Sequence, residues 1–180
     1  MPFPLSPLAL LPLLAVLAGC AGDPEVLKRE FVAEGDALFE EGKYAEAIVR
    51  YRNAVRQDER FGEARVKLAT ALEARGDYRN ALAQAVRGAD LLPEDIAAQV
   101  RAARLLVVSG QFEDARTRAT GALEKDPKNV DALIVLGNAL AGLKDLDGAI
   151  EQVEQAIDEN PARTFTYANL RASADSATAG

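Results

Sequence analysis

The sequence predicts an all-α protein built as an α-solenoid, and three observations support this class. Large residues recur every 34 positions, at Tyr44, Tyr78, Phe112 and Leu146. Within each period, apolar residues are spaced three and four apart, which is the period of an amphipathic helix. Glycine and proline interrupt that pattern at fixed points. Each period is therefore expected to form two helices, and because one pair cannot bury its apolar faces alone, neighbouring pairs should stack.

The first 22 residues differ from the rest of the chain in composition. They contain no charged side chain, so all 21 Lys+Arg and 28 Asp+Glu follow them. Pro4, Pro7 and Pro12 interrupt this apolar stretch, whereas a membrane-spanning helix needs roughly 20 consecutive apolar residues. Residues 1–19 are therefore expected to be a signal peptide outside the fold, with a membrane span as the alternative.

The single cysteine of the chain, Cys20, follows this segment directly. The residues Leu17-Ala18-Gly19-Cys20 resemble the lipobox of bacterial lipoproteins, in which lipid is attached to the thiol and a peptidase cuts before the cysteine. The resemblance implies that Cys20 is the lipid-attachment site and that residues 20–27 link it to the domain. It also implies a bacterial envelope location, at the outer membrane in a Gram-negative host. One departure is the absence of Lys or Arg from the first eight residues. The alternative is that Cys20 is an ordinary small residue of a membrane stretch.

Four repeats are expected at residues 28–61, 62–95, 96–129 and 130–163. Glycine, which adopts the left-handed conformation that ends a helix, should end the first helix of three of them, at Gly42, Gly76 and Gly110. Proline should end the second helix of three, at Pro93, Pro127 and Pro161. In the first repeat Glu59 replaces the closing proline, and in the fourth Lys144 replaces the glycine.

Small residues stand where the two helices of each repeat should meet. On the first helices they are Gly35, Ala69, Ala103 and Gly137. On the second helices they are Ala47, Ala81, Ala115 and Ala149. Residues of this size let helix axes approach to about 8 Å.

This pattern resembles the tetratricopeptide repeat, which combines a large residue, Leu-Gly, Gly-x-Tyr, Ala, an aromatic residue, Ala and a closing Pro. The resemblance implies a right-handed superhelix whose first helices line a concave face that binds a protein or peptide. The segment 164–180 continues the register with Tyr167 and Leu170, so we expect a capping helix to about Ala174 and a frayed tail. The alternative is that the chain is a fragment of a longer array.

The same register predicts the lining of the concave groove. An aliphatic residue occupies the position that faces the groove in this family, at Val32, Val66, Val100 and Ile134. Polar residues accompany this stripe, at Lys67, Arg101, Arg104 and Asn138. We expect an extended or helical partner segment to bind the stripe and to place an acidic group or terminal carboxylate near the arginines.

Two alternatives remain for these groove residues. The aliphatic residues are equally expected if they pack between adjacent first helices, and the basic residues if they are ordinary solvated charges. Family members that bind chaperone C-termini use a clamp of Lys and Asn residues. Val32 and Asp36 occupy its first positions here, and only Arg101 matches it, so that activity is not implied.

The composition disfavours an enzyme. The chain has no histidine and only one cysteine, so the commonest general base, metal ligand and thiol nucleophile are missing or used for the anchor. Acidic pairs such as Glu40-Glu41 fit solvated helix ends, and a net charge of −7 disfavours nucleic acid as a partner. We expect no catalytic, cofactor or metal site and no small-molecule substrate. The predicted function is a membrane-anchored scaffold for envelope assembly or secretion, with a soluble or membrane-spanned adaptor without lipidation as the alternative.

Overall fold

A computed structural model describes residues 23–162, which fold into eight α-helices arranged as four consecutive pairs. The helices are α1 (Pro24–Glu40), α2 (Tyr44–Gln57), α3 (Gly62–Ala74), α4 (Tyr78–Leu91), α5 (Ile96–Val108), α6 (Phe112–Lys125), α7 (Val130–Gly142) and α8 (Leu146–Glu159). Each odd-numbered helix packs against the even-numbered helix that follows it, and each even-numbered helix up to α6 packs against the next odd one. The predicted all-α solenoid is confirmed. The predicted signal peptide, Cys20 and the predicted cap lie outside the described residues.

The helices begin and end where local chemistry requires it. Five of them start at a side-chain cap that accepts a backbone N–H bond, at Asp23, Asp77, Asp95, Asn129 and Asp145. Because Asp23 is such a cap and Pro24 suits the first helical turn, α1 begins inside the segment 20–27 that the sequence suggested as a linker. Residues 24–27 are therefore helical.

The turn inside each repeat needs a left-handed residue. Gly42, Gly76 and Gly110 supply it with φ angles of 74° to 77°, as their position in the sequence predicts. Lys144 takes the same conformation in the fourth repeat, with φ of 68°. A side chain with a Cβ is strained there, so the stacked helices impose this turn on a residue that does not favour it.

The first repeat closes without a proline, through Asp58 and Arg65. The Asp58 carboxylate accepts the Arg60 backbone N–H at 2.9 Å and the Lys28 Nζ at 2.8 Å. The Arg65 guanidinium donates two bonds to the Glu59 carbonyl, at 2.9 and 2.7 Å. Arg65 is buried at the position that holds Phe31, Gln99 and Leu133 in the other three repeats. Polar bonds thus fix the turn that proline fixes elsewhere in the array.

The close approach of the two helices within a repeat is present, with one change of partner. A Cβ on Gly35 would lie 2.5 Å from Tyr51 Cε1, so the ring of Tyr51, rather than the predicted Ala47, covers this glycine. At Gly137 a Cβ would lie 3.1 Å from Val153 Cγ2, at the position equivalent to Tyr51, and 3.3 Å from the carbonyl oxygen of Ala149, the predicted partner. The same position of the second helix thus covers the glycine in both repeats, and the contact is tighter in the first repeat, where that residue is aromatic.

Candidate protein-binding groove

A cavity of about 550 Å³ opens between α5 and α7, two neighbouring first helices. It gathers five of the eight residues that the sequence assigns to the groove: Val100, Arg101, Arg104, Ile134 and Asn138. Val100 and Ile134 give it an apolar wall, and the Asn138 amide offers both a hydrogen-bond donor and an acceptor. This is the combination of apolar surface and a few polar groups that binding sites in proteins commonly show.

The predicted aliphatic stripe does not form one continuous surface. Val32 is only 6% exposed and packs in a cluster with Ala54 and Ala64, between the first and second repeats. Val66 is half-buried over Gly88, where an added Cβ would lie 2.9 Å from Val66 Cγ2. The structure therefore places these two residues between helices. Val100 is also buried, at 9% exposure in a cluster with Ala132 and Val135, but it borders the cavity together with the half-buried Ile134.

The arginines beside the cavity already have a carboxylate partner. Arg101 Nη1 lies 2.7 Å from Glu73 Oε1, and Arg104 Nη2 lies 2.8 Å from Glu73 Oε2. Glu73 belongs to α3, so both bonds join the second repeat to the third. Two cations share one anion, so this cluster keeps one net positive charge, and Asp131 adds a carboxylate elsewhere in the lining of the same cavity.

Lys67 is held in a similar contact between the first two repeats. Its Nζ lies 2.9 Å from Asp36 Oδ2, and Asp36 Oδ1 also accepts the Tyr51 hydroxyl at 2.8 Å. Burial, followed by this hydrogen bond to Asp36, raises the pKa of Tyr51. Lys67 therefore contributes to an ion-paired junction rather than to an open basic flank, which corrects the sequence interpretation.

The two ion-paired junctions explain where the cavity lies. Lys67 and Arg101 occupy the same position in successive repeats, and in the fourth repeat that position holds Val135, which is buried. At the junction of the third and fourth repeats, the apolar side chain of Val135 thus stands where the earlier repeats have a lysine or an arginine. The cavity opens at this junction. Sequence reasoning listed the groove residues but did not predict that they would concentrate at this junction.

A larger cavity of about 920 Å³ lies on the other side of the array, between α4 and α6, with α5 as its floor. Leu82, Val86 and Leu106 supply its apolar part. Gly121 lies in its wall with no atom within 4 Å of the place of a Cβ. Sequence reasoning missed this cavity.

The described part of the chain offers no arrangement for metal chemistry or membrane crossing. No three Asp, Glu, Cys or His residues among 23–162 lie together in a way that could hold a metal ion. None of the helices within that range has the length and apolarity that crossing a bilayer requires.

Two sequence-family models match the chain, "Tetratricopeptide repeat" at residues 100–164 and "TPR repeat" at residues 35–76. This chain is a tetratricopeptide repeat (TPR) protein. The match at residues 35–76 covers the end of α1, α2 and α3, and the match at 100–164 covers most of α5 and all of α6 to α8, so together they include helices of all four repeats. No curated protein sequence matches the TPR chain.

Several solved TPR structures share its fold. YrrB, described as a TPR protein with an unusual peptide-binding site, has a TM-score of 0.71 at 23% identity, covering 81% of this chain and 75% of its own. MamA residues 41-end from Desulfovibrio magneticus RS-1 has a TM-score of 0.68 at 24% identity, covering 78% and 77%. The first TPR of Spaghetti (RPAP3), bound to the HSP90 peptide SRMEEVD, has a TM-score of 0.61 at 21% identity, covering 68% and 96%. At these identities the similarity shows the TPR scaffold fold.

Proposed function

We propose that this TPR protein is a lipid-anchored, non-enzymatic scaffold that binds a protein segment in its concave groove at the bacterial envelope, in assembly or secretion. The α5–α7 cavity carries the proposal, because it joins an apolar wall to two guanidinium groups and an amide on adjacent first helices. YrrB is described with a peptide-binding site, and the RPAP3 domain was solved with a bound peptide. Both support a peptide or protein segment as the ligand class.

The partner segment would bind through one apolar anchor and one acidic group. The anchor, a large aliphatic or aromatic side chain, fills the cavity against Val100 and Ile134. The acidic group shares Arg101 and Arg104 with Glu73, which already neutralises one of the two charges. Because Glu73 competes with the ligand, these arginines contribute more to selecting an acidic partner than to tight binding.

Cys20 would hold this groove close to the membrane. The residues 20–23 between the proposed lipid and α1 are few, so the domain stays near the bilayer surface. Two or more acyl chains on one residue anchor a protein stably, whereas a single chain does so only marginally. The scaffold would therefore present its bound partner at the membrane rather than in solution.

Site-specific photo-cross-linking in the native bacterium tests the groove. A photoreactive amino acid replaces Asn138, which lines the cavity, or Val49, a 52% exposed residue of α2 far from it. Asn138 is expected to give a discrete adduct with a protein that the Val49 position does not capture. Equal adducts at both positions, or none at Asn138, would contradict the groove as the binding surface.

Binding of the captured segment then tests how the cavity works. Ile134→Arg fills the apolar wall with a charge and should weaken the affinity at least tenfold, whereas Val49→Arg, which adds the same side chain on α2, should leave it unchanged. Glu73→Gln removes the internal competitor and should strengthen binding of an acidic segment several-fold. If Ile134→Arg and Val49→Arg bind equally well, the segment does not occupy the cavity.

A separate measurement tests the anchor. Mass spectrometry of the envelope protein should find a lipid-modified N-terminal Cys20, and Cys20→Ser should release the domain from the membrane fraction. A Cys20 with unmodified mass would favour the soluble or membrane-spanned adaptor. That result would leave the groove proposal standing.

A further inference from the structure

The cavity between α4 and α6, which we call the α4–α6 groove, has two helical walls and a helical floor. Helices α4 and α6 each pack against α5, and the space between them measures about 920 Å³. Each wall is 14 residues long, or about 21 Å at 1.5 Å per residue. A groove of this length between two helices has a shape that accepts a third helix.

The apolar surface of the α4–α6 groove belongs to this junction and is not a general property of the repeat. Leu82 and Val86 of α4 are half-buried and pack on the cluster of Leu106, which lies in the floor. One period later, α6 carries Arg116 and Thr120 at the positions of Leu82 and Val86. The junction of α6 with α8 therefore lacks the apolar wall that α4 supplies here.

The facing wall is open at Gly121. No atom lies within 4 Å of the place of its Cβ, whereas the other three repeats hold Asn53, Arg87 and Gln155 at this position. The missing side chain leaves room in the groove that a ligand side chain can fill.

Polar bonds hold the two walls in place. Arg118 Nη2 of α6 lies 2.6 Å from Asp90 Oδ1 of α4, and Arg118 Nη1 donates to Gln99 Oε1 of the floor at 3.0 Å. These bonds connect all three helices of the groove. The groove is therefore formed before a ligand arrives, which lowers the cost of binding.

The walls expose opposite charges. Arg87 of α4 is exposed, and so are Asp114 and Glu124 of α6. Within residues 23–162 none of these three makes an ion pair, whereas Arg118 and Lys125, the other two bases of the lining, are paired with carboxylates. A complementary ligand therefore carries an acid on the side of α4 and a base on the side of α6.

We propose that the α4–α6 groove is a second docking surface, which binds an amphipathic helix of a partner protein. The apolar stripe of that helix packs on Leu82 and Val86, its acidic edge faces Arg87, and its basic edge faces Asp114 and Glu124. This surface lies on the other side of the array from the α5–α7 cavity and does not depend on it. The scaffold would thus hold two partners at once.

The walls favour a helix over an extended segment and a foreign partner over a second copy. Helical walls satisfy their own backbone groups, so they offer no row of free N–H and C=O groups to an extended strand. Among the described helices, α8 presents a row of exposed aliphatic residues, but it contains five acids and no base. A second copy would therefore bring no basic edge to α6.

Peptide selection tests this surface in the full chain carrying Cys20→Ser, purified in mild detergent. The probes are 16-residue peptides displayed on phage. Ala83→Arg puts a long side chain into the groove at an exposed position, and Val49→Arg makes the same change at the equivalent position of the first repeat. One class of selected peptides should lose at least tenfold in affinity on Ala83→Arg and keep it on Val49→Arg. If no selected peptide distinguishes these two variants, the proposal is overturned.

Charge reversal tests the chemistry of the ligand. Peptides of this class should show helical spacing of aliphatic residues, with an acid on one edge and a base on the other. Replacing the peptide acid by lysine should weaken binding to the parent several-fold and strengthen binding to Arg87→Glu. An equal effect on both proteins, or a class of peptides without helical spacing, would contradict the proposal.

Two further measurements separate this surface from the alternatives. Ile134→Arg, which blocks the α5–α7 cavity, should leave binding of these peptides unchanged, so failure of one surface is distinguishable from failure of the other. Analytical ultracentrifugation of the purified chain should show no association that Ala83→Arg abolishes. Such association would assign the groove to a second copy and overturn the proposal.

Discussion

Gly35→Ala tests the tightest helix contact that the structure describes. The new Cβ would lie 2.5 and 2.7 Å from two carbons of the Tyr51 ring, well inside van der Waals contact. The ring cannot move freely, because Tyr51 is buried and its hydroxyl donates to Asp36, which also pairs with Lys67. The substitution is therefore expected to displace the ring and to weaken the junction of the first two repeats.

The expected loss of stability combines three terms. Overpacking a well-packed site costs about 1–3 kcal/mol. Loss of the Tyr51 to Asp36 hydrogen bond costs about 1 kcal/mol more. Alanine in place of glycine inside a helix returns about 0.8–1 kcal/mol. The free energy of unfolding should therefore fall by about 1–3 kcal/mol, which lowers the thermal midpoint by about 4–10 °C in a domain of this size.

Gly121→Ala is the matched control, because it makes the same chemical change inside another helix. No atom lies within 4 Å of the place of that Cβ, so only the gain in helix propensity remains and stability should rise by about 0.5–1 kcal/mol. Both variants are compared with the parent by urea unfolding followed by circular dichroism at 222 nm. If Gly35→Ala is as stable as Gly121→Ala, the contact of Tyr51 with Gly35 is not tight and the reasoning fails.

Three further predictions concern other parts of the array. Lys144→Gly should raise the free energy of unfolding by about 0.5–1 kcal/mol, because glycine tolerates the positive φ at that turn. Ala81→Leu should lower it by about 1–3 kcal/mol, because Ala81 is fully buried between the helices of its repeat. The Asp58→Asn variant should lose less stability than the parent protein as the pH falls below about 4. The hydrogen bond from Lys28, and then that from the Arg60 backbone, holds the pKa of Asp58 below its usual value. Its contribution is therefore present above the unfolded pKa and is lost as pH falls through the folded pKa.

The same unfolding measurements decide these three cases. A destabilised Lys144→Gly variant would mean that the lysine side chain contributes more than its backbone strain costs. An Ala81→Leu variant with parental stability would remove Ala81 from the helix contact. If the free energy of unfolding of Asp58→Asn falls with decreasing pH as steeply as that of the parent, the bond between Asp58 and Lys28 does not persist in solution.

Much of the fold was predictable because each repeat encodes its helices locally. Gly42, Gly76 and Gly110 end the first helices of three repeats, and the 34-residue period fixes the order in which the repeats stack. The start of α1 was less predictable, because a cap such as Asp23 is recognised only when the following residues are seen to be helical. The role of Arg65 was also hidden, since an arginine at a core position gives no sign that a carbonyl of the preceding turn binds it.

The groove was predictable only in part, because the pairing of charges depends on distances between repeats. The register placed Arg101 and Arg104 on the concave side, but it did not show that Glu73, 28 residues before Arg101, lies between them. The register also assigned both Val32 and Val100 to the lining of the groove. In the structure Val32 is enclosed by α2 and α3, whereas Val100 borders a cavity.

The sequence by itself determined the repeat, its helix pairs and the residues that face inward, because these follow from periodicity and from the backbone preferences of glycine and proline. It also predicted a lipid anchor at Cys20 and a cap after residue 163, which stay predictions. The tertiary structure decided which inward-facing residues are available to a ligand. Stacking brings side chains from different repeats within bonding distance, so the first two junctions close through ion pairs and the third, which carries Val135 in place of a base, opens as a cavity.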